Sequence, residues 1–91
     1  MQQMRVRPTR SELKDRLVSL IHEIGNIDAD QITEDATVDQ ELQMHSVGFV
    51  ELQVAIEEEY QVQIDPIQLV ELNRFGDIID YVLRCIVDTN P

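Results

Sequence analysis

Ser46 is the residue whose surroundings most suggest chemistry. It follows His45 directly and opens a stretch, Ser46–Tyr60, whose apolar residues recur at helical spacing. A serine at that place can cap the helix, its hydroxyl accepting from an amide of the first turn. It can equally carry a phosphodiester. The first amide N–H groups of a helix lack intrahelical partners, and the positive end of the helix dipole favours an added anion. Position alone leaves both roles open. A Ser46–His45 nucleophile pair is set aside, because neighbouring side chains at a helix start diverge and no oxyanion loop accompanies them. Asp28, Asp30 and Asp39 have the spacing of a calcium loop, but Ile32 and Thr33 occupy the fifth and sixth places, where a ligand and a glycine are needed, and the twelfth is Asp rather than Glu. His22, His45 and Cys85 do not have metal-ligand spacing. His22 reads as a helix-surface residue. Cys85 is the single cysteine, cannot form an internal disulfide, and reads as a packed thiol in an apolar stretch.

The elements that must position Ser46 follow from periodicity and punctuation. Met1–Pro8 reads as a flexible basic tail. Thr9 and Glu12 have capping-box spacing, with Ser11 as a rival cap. Leu13, Leu17, Leu20, Ile21 and Ile24 then recur as one helical stripe, and Gly25-Asn26 ends it. Asn26–His45 is a long acidic connection along which Ile27, Ile32, Val38 and Leu42 are spaced as anchors; so long a loop in so small a domain is often functional. After the second helix, Gln61–Asp65 leads away, and Pro66 suits the first position of a short helix to about Leu72. Asn73 is the expected cap of a last helix striped by Phe75, Ile78, Ile79, Val82 and Ile86. Val62-Gln63-Ile64 alternates but is too short for a sheet. The expected fold is all-α: a small four-helix bundle of three long helices and one short one, with one domain over residues 9–88 and tails at 1–8 and 89–91.

The second helix carries more apolar surface than one core face needs. Phe49, Leu52, Ile56 and Tyr60 form one stripe, assigned to the core. Val47, Val50 and Val54 form a neighbouring one, bordered by Glu51, Glu57, Glu58 and Glu59. A bundle helix usually buries a single stripe. Two readings stand evenly: a docking face with an apolar centre and an acidic rim, or a stripe packed under the long loop.

Charge narrows the partners. The 91 residues carry a net charge of −11. Residues 1–16 hold five cations against two acids, net +3, and residues 17–91 hold two cations against sixteen acids, net −14. An acidic body repels phosphate backbones, so a nucleic-acid partner is not expected; it steers basic protein surfaces toward itself. No apolar run approaches the ~20 residues of a membrane span, and the basic, polar beginning does not read as a signal peptide. A cytoplasmic monomer is the expectation.

The residues around Ser46 also carry a resemblance. Leu42-Gln43-Met44-His45-Ser46-Val47-Gly48-Phe49-Val50-Glu51-Leu52, then Ala55-Ile56-Glu57-Glu58-Glu59-Tyr60 and Val62-Gln63-Ile64, resemble the acyl carrier proteins. That family has a serine at the start of its second helix within an Asp-Ser-Leu signature, followed by an apolar-Glu-Leu step and a Glu-Glu-aromatic close. Ile32-Thr33, Asp35-Ala36-Thr37 and Asp80-Tyr81-Val82 continue the resemblance in register, over most of Leu13–Asp88. It implies that Ser46 is esterified with 4′-phosphopantetheine, taken from coenzyme A by a separate phosphopantetheinyl transferase. The arm's thiol would hold an acyl or aminoacyl group as a thioester, sheltered between the helices and presented to partner enzymes of fatty acid, polyketide or related biosynthesis. The chain itself would not be an enzyme. Val47, Glu51, Val54 and Glu58 fall where family members meet basic patches of acyl-loading and acyl-processing partners; Val50 and Glu57 complete the expected docking set. His45, Gln43 and Val47 depart from the family's Asp, Gly and Leu. An imidazole cannot engage the transferase and its metal ion as the aspartate does, which is the feature favouring a second reading: a carrier-like helical adaptor that is never modified and acts only by binding proteins.

Overall fold

The computed structural model describes residues 8–38, 40, 42 and 46–89, with backbone alone for Ser46 and Thr89. The tail residues 1–7 and 90–91, and Gln43 and His45 of the motif, lie outside the described residues. The elements are α1 (Arg10–Gly25), a single 3-10 turn (Ala29–Gln31), α2 (Ser46–Tyr60), α3 (Pro66–Glu71) and α4 (Phe75–Thr89). Three long helices and one short one match the expected all-α bundle; among the described residues the extended backbone amounts to one isolated bridge, Thr37 with Arg74.

Each helix begins where its local chemistry allows. Thr9 Oγ1 accepts from Glu12 N–H while Glu12 Oε1 accepts from Thr9 N–H, so the capping box closes α1 and Ser11 is simply inside it. Asn26, not Gly25, takes the left-handed conformation past the end of α1, at φ 55°. Asp65 Oδ1 accepts from Ile67 N–H and Pro66 fills the first turn of α3. The expected cap at Asn73 is corrected: α4 starts at Phe75, and it is the Arg74 carbonyl that accepts from Asp77 and Ile78 N–H. The Asn73 carbonyl instead accepts from Val38 N–H across the molecule, at 2.7 Å.

The core is one cluster. Leu13, Leu17 and Ile21 of α1, Leu52 and Ile56 of α2, and Phe75, Ile78, Ile79 and Val82 of α4 are fully buried. α1 packs against both α2 and α4, and α3 packs on α2. Ile32, Val38 and Leu42, three of the four loop anchors, are buried with Ala36, and Ile27 packs half-buried against them. A buried anchor contributes about 1.5–3 kcal/mol. That offsets the backbone entropy of one or two ordered residues, at ~1–2 kcal/mol each. Anchors alone therefore do not hold a connection this long, and main-chain bonds supply the rest. Gly76 N–H donates to the Glu34 carbonyl, Phe75 N–H to Ala36, and Val38 N–H to Asn73. The approach at Gly76 is close: a Cβ there would lie 3.2 Å from the Glu34 carbonyl oxygen.

Side chains reinforce the same seam. Arg10 Nη1 and Nη2 reach both Glu34 oxygens at 2.9 and 3.0 Å, and Arg10 Nε reaches Asp80 Oδ1 at 2.8 Å. The Arg10 guanidinium holds the Glu34 carboxyl below its ordinary value and is itself held above its own. One arginine thus ties the start of α1 to the loop and to α4.

Candidate functional site

Ser46 is the first residue of α2, as the sequence led one to expect. The first turn of α2 contains no acidic residue, although the chain has 18 acids and α1 and α4 each place one there, Glu12 and Asp77. A carboxylate in that turn would compete with an added phosphate for the same amides. Its absence, together with the helix start, makes the place chemically fit for a phosphodiester on Ser46.

The two stripes of α2 separate cleanly. Phe49, Leu52 and Ile56 are buried and Tyr60 is half-buried. Val47, Val50 and Val54 are exposed at 68%, 55% and 44%, so the second stripe does not pack under the long loop. Three large apolar side chains of one helix therefore face water together. Glu51 and Glu58 are exposed beside it. Glu57 is half-buried, and its Oε2 accepts from Ile64 N–H at 2.8 Å, with Gln53 Nε2 donating to the Ile64 carbonyl alongside. Glu59 takes Arg16 Nε at 2.7 Å, and Glu59 holds the Arg16 guanidinium above its ordinary pKa. The acidic border thus divides into two carboxylates turned outward and two with partners inside the fold.

α3 adds residues for which the sequence reading had no role. Ile67 and Val70 are exposed at 68% and 57%. Their spacing, with buried Leu69 between them, was the available signal: a six-residue helix buries one residue and leaves the other apolar positions outside. Val70 also borders a cavity of about 280 Å³ with Val38, Phe49, Glu71, Leu72 and Asn73. Phe49, one turn along α2 from Ser46, belongs to that lining.

The remaining candidates are apart from this region. His22 is exposed on α1, its Nδ1–H donating to the Ile27 carbonyl at 2.7 Å. Cys85 is half-buried on α4 and in no disulfide. Among the described residues no group of three or more His, Cys, Asp or Glu side chains could hold a metal ion, and no helix is long and apolar enough to cross a membrane.

Comparison with known proteins agrees with the geometry. Residues 15–82 match the family model for the phosphopantetheine attachment site. The chain is 31% identical over 74 residues to an acyl carrier protein of Thermotoga maritima, covering 81% of this chain and 91% of that one. It is 32% identical over 77 residues to an acyl carrier protein of Saccharopolyspora erythraea, covering 85% and 81%. It is 28% identical over 83 residues to a meromycolate extension acyl carrier protein of Mycolicibacterium smegmatis, covering 91% and 83%. The helix order, the serine at the head of α2 and these matches over most of the chain have one meaning: the chain belongs to the acyl carrier protein family, and its cofactor is covalently attached 4′-phosphopantetheine.

Proposed function

We propose that Ser46 bears the 4′-phosphopantetheine arm and that the chain presents acyl intermediates on it to biosynthetic enzymes. The observation that carries this is the first turn of α2: a serine opens it, no carboxylate shares it, and an exposed apolar stripe begins at the next residue. The arm supplies a thiol that holds the acyl group as a thioester. Everything else is done by the protein's own residues. The amides of the first turn and the helix dipole favour the phosphodiester. Val47, Val50 and Val54 form the apolar centre of the docking face, and Glu51 and Glu58 form its acidic rim, suited to partners that present basic residues around an apolar contact. Glu57 belongs to the fold rather than to that face, because its carboxylate serves Ile64. Bond making and breaking fall to the partners, the phosphopantetheinyl transferase first among them.

Intact mass before and after incubation with coenzyme A and a broad-specificity phosphopantetheinyl transferase tests the assignment. The wild type gains one phosphopantetheine. Ser46→Ala gains nothing and keeps the helical circular dichroism of the wild type. A gain on Ser46→Ala moves the attachment elsewhere. If neither the wild type nor His45→Asp gains the arm, the chain is an unmodified adaptor.

A further inference from the structure

We infer that the groove between the end of α2, the segment 62–65 and α4 receives an arginine side chain of a protein partner. Its stem would lie on Val62, Ile64 and Tyr81, and its guanidinium against the carboxylates of Glu57 and Asp65. Those five residues, with Gln63, line a groove that opens to solvent. Val62 and Ile64 are buried and Tyr81 is half-buried, so the floor is apolar and one wall is an aromatic ring. Glu57 and Asp65 are its charged members, and no cation lines it. A long side chain with an apolar stem and a cationic head matches both parts.

Both carboxylates have an oxygen to spare. Glu57 Oε2 accepts from Ile64 N–H at 2.8 Å and from Gln53 Nε2 at 3.4 Å, while Oε1 accepts nothing among the described residues. Asp65 Oδ1 accepts from Ile67 N–H, and its Oδ2 likewise accepts nothing. Among the described residues neither carboxylate has an ion pair. The cations that come nearest in sequence contact are engaged beside them, Arg16 by Glu59 and Arg10 by Asp80 and Glu34. No third ligand joins the two carboxylates to hold a metal ion among the described residues. A guanidinium lies flat on an aromatic ring and offers forked donors to carboxylates, which an ammonium does less well.

The groove continues the exposed stripe of α2. Glu57 is three residues past Val54 and so is its neighbour on the helix surface. A partner lying along α2 from Ser46 meets Val47, Val50 and Val54, and then the mouth of the groove about 16 Å from the start of the helix. The inference extends the docking face proposed above and rests on that reading, but it does not depend on Ser46 as the attachment residue. An arginine seated at the end of an apolar contact is the kind of residue that carries binding energy. It would also fix how far along the helix the partner lies.

The experiment titrates the unmodified full chain with the blocked peptide acetyl-Leu-Ala-Arg-Ala-Leu-amide at low salt, followed by NMR of the backbone amides. The amides of Gln63, Ile64, Asp65 and Tyr81 should shift together. The peptide with citrulline for arginine should bind about tenfold more weakly, and the lysine peptide about threefold more weakly. Glu57→Gln combined with Asp65→Asn removes both charges but keeps an acceptor for Ile64 N–H and a cap for α3. It should weaken the arginine peptide about tenfold, with circular dichroism as the control; where it does not fold, the citrulline comparison on the wild type carries the test. Glu58→Gln, on the outward face, should change affinity by less than about twofold. No shift at the groove amides overturns the inference, as does equal binding of the arginine and citrulline peptides or wild-type affinity in the double variant. Shifts confined to Val47, Val50 and Val54 also overturn it, because the peptide then lies on the stripe. Movement of the groove amides in the peptide-free chain on Arg5→Gln with Arg7→Gln would give the groove to the chain's own cations and overturn a partner as its occupant. The stripe as a docking face fails separately, in the loading of Val50→Asp, with the groove shifts intact.

Discussion

α1 and α2 are nearly equal in length, 16 and 15 residues, yet one is finished within the chain and the other is not. α1 closes its own start with Thr9 and Glu12. Its stripe of Leu13, Leu17, Leu20 and Ile21 is wholly buried, and none of the exposed large apolar residues lies on it. α2 begins on a serine with no acid in the turn, buries one stripe, and leaves Val47, Val50 and Val54 in water. The residue types already differ: α1 mixes Arg10, Lys14 and Arg16 with its acids, whereas α2 has no cation and is richer in apolar residues. The structural difference lies in what each leaves exposed: α2 has an acid-free first turn and an apolar face in water, which the proposed function assigns to groups that are not part of the chain.

Four substitutions break or sharpen that contrast. The largest effect is expected of Val50→Asp. It puts a charge at the centre of the exposed stripe and should slow loading by a phosphopantetheinyl transferase about tenfold or more, while unfolding in urea shifts by less than about 0.5 kcal/mol. A large loss of stability with unchanged loading would make the stripe structural. Gly48→Glu gives α2 the first-turn acid that α1 has. Helix propensity should raise the stability of the unloaded protein by about 0.5–1 kcal/mol, while repulsion slows loading about two- to fivefold; faster loading would sink the idea that this turn is kept clear for a phosphate. Thr9→Ala removes the cap of α1 and should cost about 1 kcal/mol in urea denaturation, with the loading rate unchanged. A loading defect there would mean that α1 is not self-contained.

The smallest effect concerns the seam between them. Glu34 has its pKa lowered by Arg10 in the folded state. Its ion pair therefore stabilises the fold fully above the ordinary carboxylate value of the unfolded chain, and the contribution is lost as the pH falls from there through the lower folded value. The wild type should exceed Glu34→Gln in urea midpoint at neutral pH, and the gap should close in acid. A gap that persists at the lowest pH would assign the difference to packing of Glu34 against Gly76 instead.

Much of this was readable beforehand, for reasons that are local. The Thr9–Glu12 box, the Gly25-Asn26 stop and Pro66 are short-range signals, and the structure follows them. The position of Ser46 was legible from the run of apolar residues after it, and the pattern through Tyr60 identified the family. What was not legible depends on contacts distant in sequence. Nothing near Asn73 says that Arg74 pairs with Thr37 and delays the start of α4 to Phe75, and so its capping role was assigned wrongly. The 3-10 turn at Ala29–Gln31 was missed because a three-residue turn has no periodicity to display. Periodicity showed two stripes on α2 but could not say which way the second one faced, since valine serves both settings. Glu57 and Glu51 look alike in sequence and differ only because the segment after α2 returns Ile64 to Glu57.

The seam between residues 34–38 and 73–76 has a consequence for the chain as it is made. The connection between α1 and α2 takes main-chain partners from Asn73, Phe75 and Gly76, more than thirty residues downstream of their mates. While the ribosome is still extending the chain toward those positions, α1 and α2 can form, and Arg10 can reach Glu34, but the segment joining them lacks these main-chain partners. The attachment serine is therefore present long before its setting is. On the reading that Ser46 bears the arm, an enzyme that requires this seam would load the serine only after synthesis has passed Gly76.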